Sequence, residues 1–461
     1  EAAGGAWHNV SLRIVRDVYG EEGVTIRHMG TLRNIVALTQ DEIHRASLTP
    51  PGTLMDFSAV RGASNGEEQV PAYAFAVKAA GVGYEGLVFD DQRVFDLEGE
   101  WSDSLTRPEA LTHARSADRP MRDGVDKERV VMRWGDDWPR PAGWRGWFGQ
   151  DGGAPAASGA TWEHRPAIVS LLQRSSHAYY HFFGEALPKL YLLAQDLEHS
   201  NAVLLTDTSF GNTWTVEFLH LLGVPRDRLL NRVPGKVYLA DTIYSSRPTP
   251  LHRPYPALLC RVRAALLGAA LPRPHGGAYS DGEVREMGSD ARRIVVVQRT
   301  GANNQHSLQH AACRATKGGC RVREVVNMEE LILGLRSAFP AREISTFDSL
   351  GLTLLQQVRL FAGAEAVVGA HGAGLSNAAM CAPGGVVLEL LPQMLQRASV
   401  VSIFWHVASA TGLRHATYIV PHNLMTPDNA TSLHNFRVPV PEVVDYLGAL
   451  LDVRSAPAPS T

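Results

Sequence analysis

The feature that most constrains the fold is an apolar strand that runs directly into a glycine-rich segment. Val367 and Val368 lead into residues 369–374, which read Gly-Ala-His-Gly-Ala-Gly, and a helix is predicted from Leu375 onward. Glycine has no Cβ, so its backbone can adopt a positive φ and can approach a ligand closely. The start of a helix offers unpaired N–H groups and the positive end of the helix dipole. The pattern therefore predicts a strand, loop and helix that bind an anion, and a tight turn without a ligand is the alternative.

The spacing of the glycines narrows the class of ligand. They follow the pattern Gly-x-x-Gly-x-Gly, which is neither the dinucleotide fingerprint nor a Walker loop. Neither NAD binding nor phosphoryl transfer from ATP is therefore supported. His371 lies among these glycines, and its imidazole could donate a hydrogen bond to a phosphate oxygen. This favours a ligand site over an empty turn.

Most of the remaining chain alternates short apolar runs with helical patterns, which is typical of parallel sheets covered on both faces. The predicted strands are 167–172, 202–205, 237–240 and 242–244 in a first series, and 293–298, 366–369 and 386–390 in a second. We expect an α/β protein with two Rossmann-like doubly wound domains facing a cleft, and ligands outside the carboxyl ends of the strands. The predicted division is an irregular, β-containing N-terminal region over 1–155, a first domain over 156–285 and a second over 286–461 with a terminal helix.

Charge and hydropathy limit the classes of partner. The net charge of −3 shows no polycationic character, so nucleic-acid binding is not expected. The sequence contains no uninterrupted run of about 18 apolar residues, so no segment of it is expected to span a bilayer. The chain begins at Glu1, so membrane attachment is expected only through an N-terminal anchor outside these residues.

The sequons 9–11 and 429–431 permit glycosylation in the secretory pathway. Cys313 and Cys320 could form a disulfide in an oxidising lumen or remain two free thiols.

A second informative segment opens the helix predicted over residues 179–197. His177, His181 and Glu185 are spaced i, i+4 and i+8, so on a continuous helix they share one face. The pattern His-x-x-x-His lacks the glutamate of a metalloprotease motif, so a zinc site is not indicated. A hydrogen-bonded core histidine is the alternative interpretation of His181.

Several runs in the chain resemble the signature of glycosyltransferase family 61. The most specific part is the glycine loop within 364–377 together with 383–392, which ends in Glu-Leu-Leu-Pro. The segment 179–190 is similar to the family's His-containing helix. Further runs that fit in the expected order are 222–244, 323–327 and 355–361. The resemblance covers residues 165–395. The family includes plant β-1,2-xylosyltransferase, plant xylan side-chain transferases and animal protein O-GlcNAc transferases of the secretory pathway.

The resemblance implies a GT-B architecture in which the C-terminal domain holds a nucleotide-sugar donor. Arg299 follows a predicted strand and is expected to contact the donor's diphosphate, since a guanidinium can bond two phosphate oxygens at once. Glu389 is expected to accept hydrogen bonds from the ribose, and a structural role is the alternative. The other residues expected to bind the donor are His371, Gly372, Ala373, Gly374 and Leu375.

The resemblance also implies an inverting transfer, which needs one base to deprotonate the acceptor hydroxyl. His181 is the first choice for this base and Glu185 the second. The sequence contains no Asp-x-Asp, the motif that holds a divalent cation in the other large class of glycosyltransferases. We therefore expect no metal and no other cofactor. Arg299, His371 and the helix start would neutralise the leaving group.

The implied function is transfer of a sugar from a UDP-sugar to a glycan or glycoprotein in the Golgi or ER lumen, by a type II membrane protein. Xylose is the first choice of donor sugar, and N-acetylglucosamine and arabinose are the alternatives. A catalytically silent relative that binds glycan or nucleotide is a second hypothesis. A sugar epimerase is a third, but it would require the dinucleotide fingerprint that the sequence lacks.

Overall fold

The computed structural model describes most of the chain. The described residues are 11–15, 17–35, 40–56, 67–82, 86, 88–89, 93–95, 132–133, 161–173, 175–208, 213–233, 236–271, 279–287, 292–299, 323–348, 351–396, 402–426 and 435–455. The chain divides into two compact units. Glu1–Leu32 and Val70–Leu251 form unit 1, and Arg33–Gln69 and His252–Thr461 form unit 2.

Strands and helices alternate through most of the described chain. The strands are β1 (Ser11–Val15), β2 (Val24–Ile35), β3 (Leu54–Met55), β4 (Glu67–Val82), β5 (Val88–Phe89), β6 (Arg93–Phe95), β7 (Met132–Arg133), β8 (Thr161–Ser170), β9 (Val203–Thr206), β10 (Leu229–Asn231), β11 (Lys236–Ser246), β12 (Arg293–Val297), β13 (Glu343–Phe347), β14 (Ala364–Ala370), β15 (Val386–Pro392) and β16 (Arg414–Val420). The longer helices are α1 (Gln40–Ser47), α2 (Leu190–His199), α3 (Thr213–Leu221), α4 (Pro256–Ala270), α5 (Asp281–Met287), α6 (Met328–Ala338), α7 (Leu354–Ala362), α8 (Ile403–Thr411) and α9 (Val440–Ser455).

Unit 1 is built on a mixed sheet. Its strand order within the described ranges is β10-β9-β8-β11-β4-β5-β6-β1-β7, and β2 pairs with β4. The strands β8 to β11 are parallel to one another, whereas β4 runs antiparallel along β11. Val77 and Val82 of β4 are buried with Ile168 and Ile243 in one apolar core. The strands β4 to β7 therefore belong to the sheet of the first unit rather than to a separate N-terminal region.

Unit 2 is built on a sheet of order β13-β12-β14-β15-β16-β3. The strands β12 to β16 are parallel, and β3 is antiparallel to β16. Every residue of Ala364–Ala370 and of Val386–Pro392 is buried. This is expected of parallel strands covered on both faces, whose hydrophobic runs do not alternate with polar residues. One apolar core contains Ile294, Val368 and Leu388 together with residues of α6 and α9.

Two parallel-rich sheets make this a mixed α/β protein, consistent with a two-domain GT-B-like fold, and the predicted fold class is confirmed. The limits of the units differ from those predicted. Unit 2 resumes at His252 instead of 286 because α4 packs against α7 and α8 of that unit. Arg359 Nε donates to the carbonyl of Ala270, at the end of α4, over 2.6 Å.

No helix in the described part of the chain is both long and apolar enough to cross a membrane. Cys260 and Cys381 take part in no disulfide. Cys313 and Cys320, for which a disulfide was one of two predictions, lie outside the described residues.

Candidate functional site

Each sheet has one point at which the order of its parallel strands reverses. In unit 1 the chain passes from β8 to β9 on one side, and β11 pairs with β8 on the other side. In unit 2, β12 is flanked by β13 on one side and by β14 on the other. Ligands of doubly wound sheets bind outside the carboxyl ends of the strands at such a point. Two sites are therefore expected. The first is at the residues that follow β8 and β11 in unit 1, and the second is at those that follow β12 and β14 in unit 2.

The glycine loop of unit 2 follows β14 and lies beside the end of β12. Val297, Gly369, Glu389 and Thr417 are paired in register across β12, β14, β15 and β16. Side chains of residues in register lie on the same face of a sheet. His371 follows Gly369 by two residues, and its Nδ1 is hydrogen-bonded to Oε1 of Glu389. The sheet register therefore brings a histidine of the loop onto a carboxylate of the neighbouring strand.

The glycines of the loop make room for neighbouring side chains. A Cβ on Gly369 would lie 2.7 Å from the Val297 Cβ, and a Cβ on Gly374 would lie 3.0 Å from the Val297 Cγ1. On Gly372 it would lie only 1.6 Å from Arg299 Nη1. None of the three glycines lies in the left-handed region of backbone conformation, and Gly372 is extended with φ 163°. Glycine is required here for space, and at Gly372 the space is occupied by Arg299.

The helix after the loop is a 3₁₀ helix, Ala373–Met380, rather than an α-helix. Its first turn closes where the Leu375 N–H donates to the Gly372 carbonyl over 2.9 Å. The Leu375 side chain is buried, whereas Ala373 and Gly374 are partly exposed. Leu375 therefore contributes to the core. The backbone of Ala373 and Gly374 is the part of this helix start that a ligand can reach.

Two arginines lie close together at the carboxyl end of β12. The Nε atoms of Arg299 and Arg323 are buried without a hydrogen-bond partner, and within the described ranges neither guanidinium is paired with a carboxylate. Burial, and then the charge of Arg323, lowers the pKa of Arg299 to about 9. Burial lowers the pKa of Arg323 to about 10, against the opposing effect of Glu389. Two half-buried cations so close together are costly unless an anion compensates them, so this arrangement is suited to an anionic ligand.

Arg323 was not among the residues predicted to form the site. Its segment is attached to a distant part of the chain, since Phe436 N–H donates to the carbonyl of Glu324 over 2.9 Å. Asn327 extends this attachment, because its side-chain amide accepts from the N–H of Val438 and donates to its carbonyl, each over 2.9 Å. The only sequence signal for Arg323 was its place within the run 323–327 that fits family 61.

Glu389 lies at the centre of a buried polar cluster and is 0% exposed. Its Oε1 bonds His371, and its Oε2 bonds His415 Nε2 at 3.0 Å and accepts from Thr417 Oγ1 at 3.3 Å. Burial alone would raise the pKa of Glu389, but the two histidines lower it to about 2, so the carboxylate is ionised. With both oxygens engaged inside the protein, Glu389 has no free surface for the ribose contact predicted for it. The structural alternative fits its surroundings better.

His371 is 5% exposed and interacts with this carboxylate and with the two arginines. Burial lowers its pKa, and Arg323 and Arg299 act in the same direction, while Glu389 opposes them. The free imidazole is therefore neutral at pH 7. Because its Nδ1 is bound to Glu389, Nε2 is the ring nitrogen that remains for a ligand.

The site of unit 1 lies in a helix that is interrupted rather than continuous. Tyr179–His181 is one α-helical turn, Phe182–Ala186 is a π-helix, and Leu187–Lys189 is a 3₁₀ turn before α2 begins. Pro188 lacks the N–H that a regular helix would use. A single π turn within a helix often marks a functional site. His177 precedes the first turn, so it does not share the helix face predicted for it.

Within this interrupted helix, Glu185 is fully buried and orients His181. The Glu185 side chain is 0% exposed and that of His181 is 17% exposed, and His181 Nδ1 lies 2.9 Å from Glu185 Oε2. Burial raises the pKa of Tyr180, and the neighbouring Glu185 raises it further, so the phenol stays protonated. His181 is therefore the partly exposed member of this pair, and Glu185 is the buried one. Both residues were predicted, but their local sequence could not distinguish their environments.

Hydrogen bonds across the reversal point of unit 1 hold Glu185 in place. Gln173 follows β8, and its Nε2 lies 3.5 Å from Glu185 Oε2 and donates to the Thr249 carbonyl over 2.7 Å. Thr249 follows β11, and its N–H donates to Gln173 Oε1 over 3.2 Å. The Thr249 hydroxyl donates to the Glu185 carbonyl over 2.9 Å. The carboxyl ends of β8 and β11 are thus tied to each other and to the π-helix.

The predicted site residues therefore fall into two groups, each at the reversal point of its own sheet. Across the described ranges, no cluster of three or more His, Cys, Asp or Glu side chains has an arrangement that could hold a metal ion. The group in unit 1 comprises His181 and Glu185, and that in unit 2 comprises Arg299, His371, Gly372, Ala373, Gly374, Leu375 and Glu389.

No match to the chain was found among curated proteins. The family model Glycosyltransferase 61 matches residues 179–388, a range that begins at the helical turn carrying His181 and ends in β15. The chain therefore carries a glycosyltransferase 61 family domain over residues 179–388.

Proposed function

We propose that this protein is an inverting glycosyltransferase that transfers a sugar from a UDP-sugar to a hydroxyl of a glycan or glycoprotein. One observation carries the proposal. Arg299 and Arg323 lie close together at the reversal point of the unit 2 sheet; their side chains are half-buried, their Nε atoms are buried without a hydrogen-bond partner, and no carboxylate is paired with either guanidinium among the described residues. A nucleotide sugar brings two phosphate charges, which are the complement that this pair of cations lacks.

The donor's diphosphate is held by both guanidiniums, by His371 and by the backbone at Ala373 and Gly374. Bonds between a guanidinium and phosphate oxygens are charge-assisted and often bidentate. As the sugar leaves, the diphosphate gains one negative charge, and fixed cations in a buried site stabilise that charge most effectively. The two arginines supply the neutralisation that a divalent cation supplies elsewhere, so no metal is needed for this step.

His181 is the base that activates the acceptor, and Glu185 is a positioning residue. The acceptor hydroxyl gives its proton to His181 Nε2 while its oxygen attacks the anomeric carbon. The bond from that carbon to the diphosphate oxygen breaks, and its electron pair leaves with the diphosphate. Such base catalysis contributes on the order of 100- to 10,000-fold in rate. The support for this assignment is the exposure of His181 and the burial of Glu185.

Xylose is the donor sugar that the resemblance favours, with N-acetylglucosamine and arabinose as alternatives. The Golgi or ER location stays a prediction, and the two sequons are its support. A silent relative that binds nucleotide without turnover is the second candidate, because the arginine pair would serve binding alone equally well.

The deciding experiment measures UDP release from UDP-xylose, UDP-N-acetylglucosamine and UDP-arabinose, with and without EDTA, beside thermal shifts with UDP. Arg299→Ala and Arg323→Ala should each weaken UDP binding at least about tenfold, since a hydrogen bond to a charged group contributes about 1.5–3 kcal/mol. The matched control is Arg437→Ala, because Arg437 lies in the same unit but is exposed and paired with Glu330.

Each result of that experiment bears on a different part of the proposal. Release from none of the sugars, together with no thermal shift by UDP, would refute the donor assignment. Binding of UDP without release would favour the silent relative. Strong inhibition by EDTA would refute only the metal-free mechanism.

A further inference from the structure

The buried row of polar side chains beneath the glycine loop has more members than anion binding requires. Arg299 and Arg323 alone would attract a diphosphate. Behind them, however, His371, Glu389 and His415 form a hydrogen-bonded chain across three neighbouring strands. A buried polar chain of this kind is costly unless every member has its hydrogen-bond partners. When every member has them, the chain fixes one arrangement of protons.

We propose that His371 is a catalytic residue that takes up a proton when the diphosphate binds, and that Glu389 and His415 are positioning residues that prepare it for this. The resulting imidazolium donates a hydrogen bond from Nε2 to the diphosphate and stabilises it as the leaving group. The inference rests on the proposed function only in taking a nucleotide sugar's diphosphate as the ligand.

The hydrogen bonds around Glu389 determine which nitrogen of His371 carries a proton. Glu389 is ionised and is therefore only an acceptor, so His371 Nδ1, His415 Nε2 and the Thr417 hydroxyl must all donate to it. His415 Nδ1 is buried without a hydrogen-bond partner, so Nε2 is the ring nitrogen through which His415 contacts Glu389. His371 is thus held with its proton on Nδ1, and a lone pair remains on Nε2.

A lone pair on Nε2 is the wrong partner for a phosphate oxygen, which has only lone pairs to offer. The two phosphates of a nucleotide sugar are diesters, so they carry no proton near neutral pH. Binding must therefore leave an unfavourable contact at Nε2 or add a proton there. The carboxylate on the far side of the ring favours the second outcome, since it stabilises an imidazolium through Nδ1.

The charged groups around His371 explain why the proton arrives with the ligand. Glu389 faces the ring from β15, Arg299 from the end of β12, and Arg323 from the segment before α6. The ring of Phe404 in α8 packs against it at 5.1 Å between centroids and contributes no charge. In the free protein the two cations and burial keep the ring neutral. A bound diphosphate neutralises the charge of the two arginines. The effect of Glu389 then prevails, and protonation of the His371 ring is favoured.

The test is calorimetric titration of the whole protein with UDP-xylose and UDP-N-acetylglucosamine in buffers of different ionisation enthalpy, at several pH values. Binding should take up about one proton. In the pH range where the complex carries that proton and the free protein does not, affinity should fall about tenfold for each unit by which the pH rises. His371→Gln should abolish the uptake and its pH dependence. Glu389→Gln, which keeps the shape but removes the charge, should shift the pH profile to lower pH while UDP-sugar binding persists.

His422→Gln is the matched control, because His422 is an exposed histidine of the same unit and should leave uptake unchanged. If a UDP-sugar binds without proton uptake and independently of pH, the inference is overturned and the proposed function stands. If Glu389→Gln lowers only the thermal stability and leaves the pH profile in place, Glu389 is structural and its positioning role is overturned. If no UDP-sugar binds, the proposed function fails and the inference fails with it.

Discussion

Gly372→Ala should disable the proposed donor site through a single methyl group. The added Cβ would lie 1.6 Å from Arg299 Nη1 and 2.8 Å from its Cζ, and contacts under 3.0 Å are essentially never tolerated by a Cβ. The guanidinium must therefore move by roughly 1.4 Å or more. Gly372 is extended, so alanine can adopt its backbone conformation without strain. The substitution should displace Arg299 and leave the fold intact.

The expected size of the effect follows from the bonds that Arg299 would lose. Each hydrogen bond to a charged group is worth about 1.5–3 kcal/mol, and a misplacement of about 1 Å can cost on the order of 100-fold. UDP binding should weaken by about 10- to 100-fold. The thermal midpoint should change little, because the clash involves the end of a flexible side chain.

The assay is UDP titration of Gly372→Ala, Arg299→Ala and the double variant, with melting curves. If Gly372 acts only by making room for Arg299, the double variant binds no more weakly than Arg299→Ala alone. Gly448→Ala is the matched control, since its Cβ would meet the Phe339 ring at an ordinary 3.9 Å. Unchanged UDP affinity of Gly372→Ala, or additive losses in the double variant, would refute this reasoning.

Three further predictions concern other parts of the molecule. His181→Ala should lower kcat by about 100-fold or more while the UDP Kd stays within about twofold. If kcat and the affinity for UDP fell by the same factor, His181 would be assigned to donor binding. Asp207→Asn should destabilise the protein by about 3–5 kcal/mol in urea unfolding, because its carboxylate lies 3.0 Å from buried Arg232. The pKa of Glu389 is lowered to about 2, so its stabilising effect should be complete above about pH 4.5 and disappear toward pH 2. The stability gap between wild type and Glu389→Gln should therefore close over that range, and a constant gap would contradict this.

Features set by short stretches of sequence were predictable. The apolar runs of β12, β14 and β15 identify buried parallel strands, because covered strands need no polar alternation. Arg299 and His371 could be assigned to a site since each directly follows such a strand, where ligands of doubly wound sheets bind. The spacing of the glycines around Gly372 indicated a special loop, but the sequence did not show why position 372 requires glycine. The side chain that needs the space comes from 73 residues earlier in the chain.

Features set by register and by distant contacts were not predictable. Glu389 was predicted to bind a ligand because the sequence does not show that His415 and Thr417 of the next strand occupy its carboxylate. Arg323 enters the site through backbone bonds to a segment more than a hundred residues later. The π-helix at Phe182–Ala186 interrupts a stretch that was predicted as one continuous helix, and bonds from residues near β8 and β11 stabilise it.

The pairing of β3 with β16 has a consequence for how unit 2 is made. Leu54 pairs with Tyr418, and Gly52 N–H donates to the Ile419 carbonyl over 2.8 Å. Tyr418 is synthesised about 360 residues after Leu54, which at about 5–20 residues per second takes roughly 20–70 s. During that time the early segment has no strand to join, and a fragment that starts at His252 would never gain one. Its β16 edge would stay open to strand addition by other chains, so unit 2 should be produced only with its early segment.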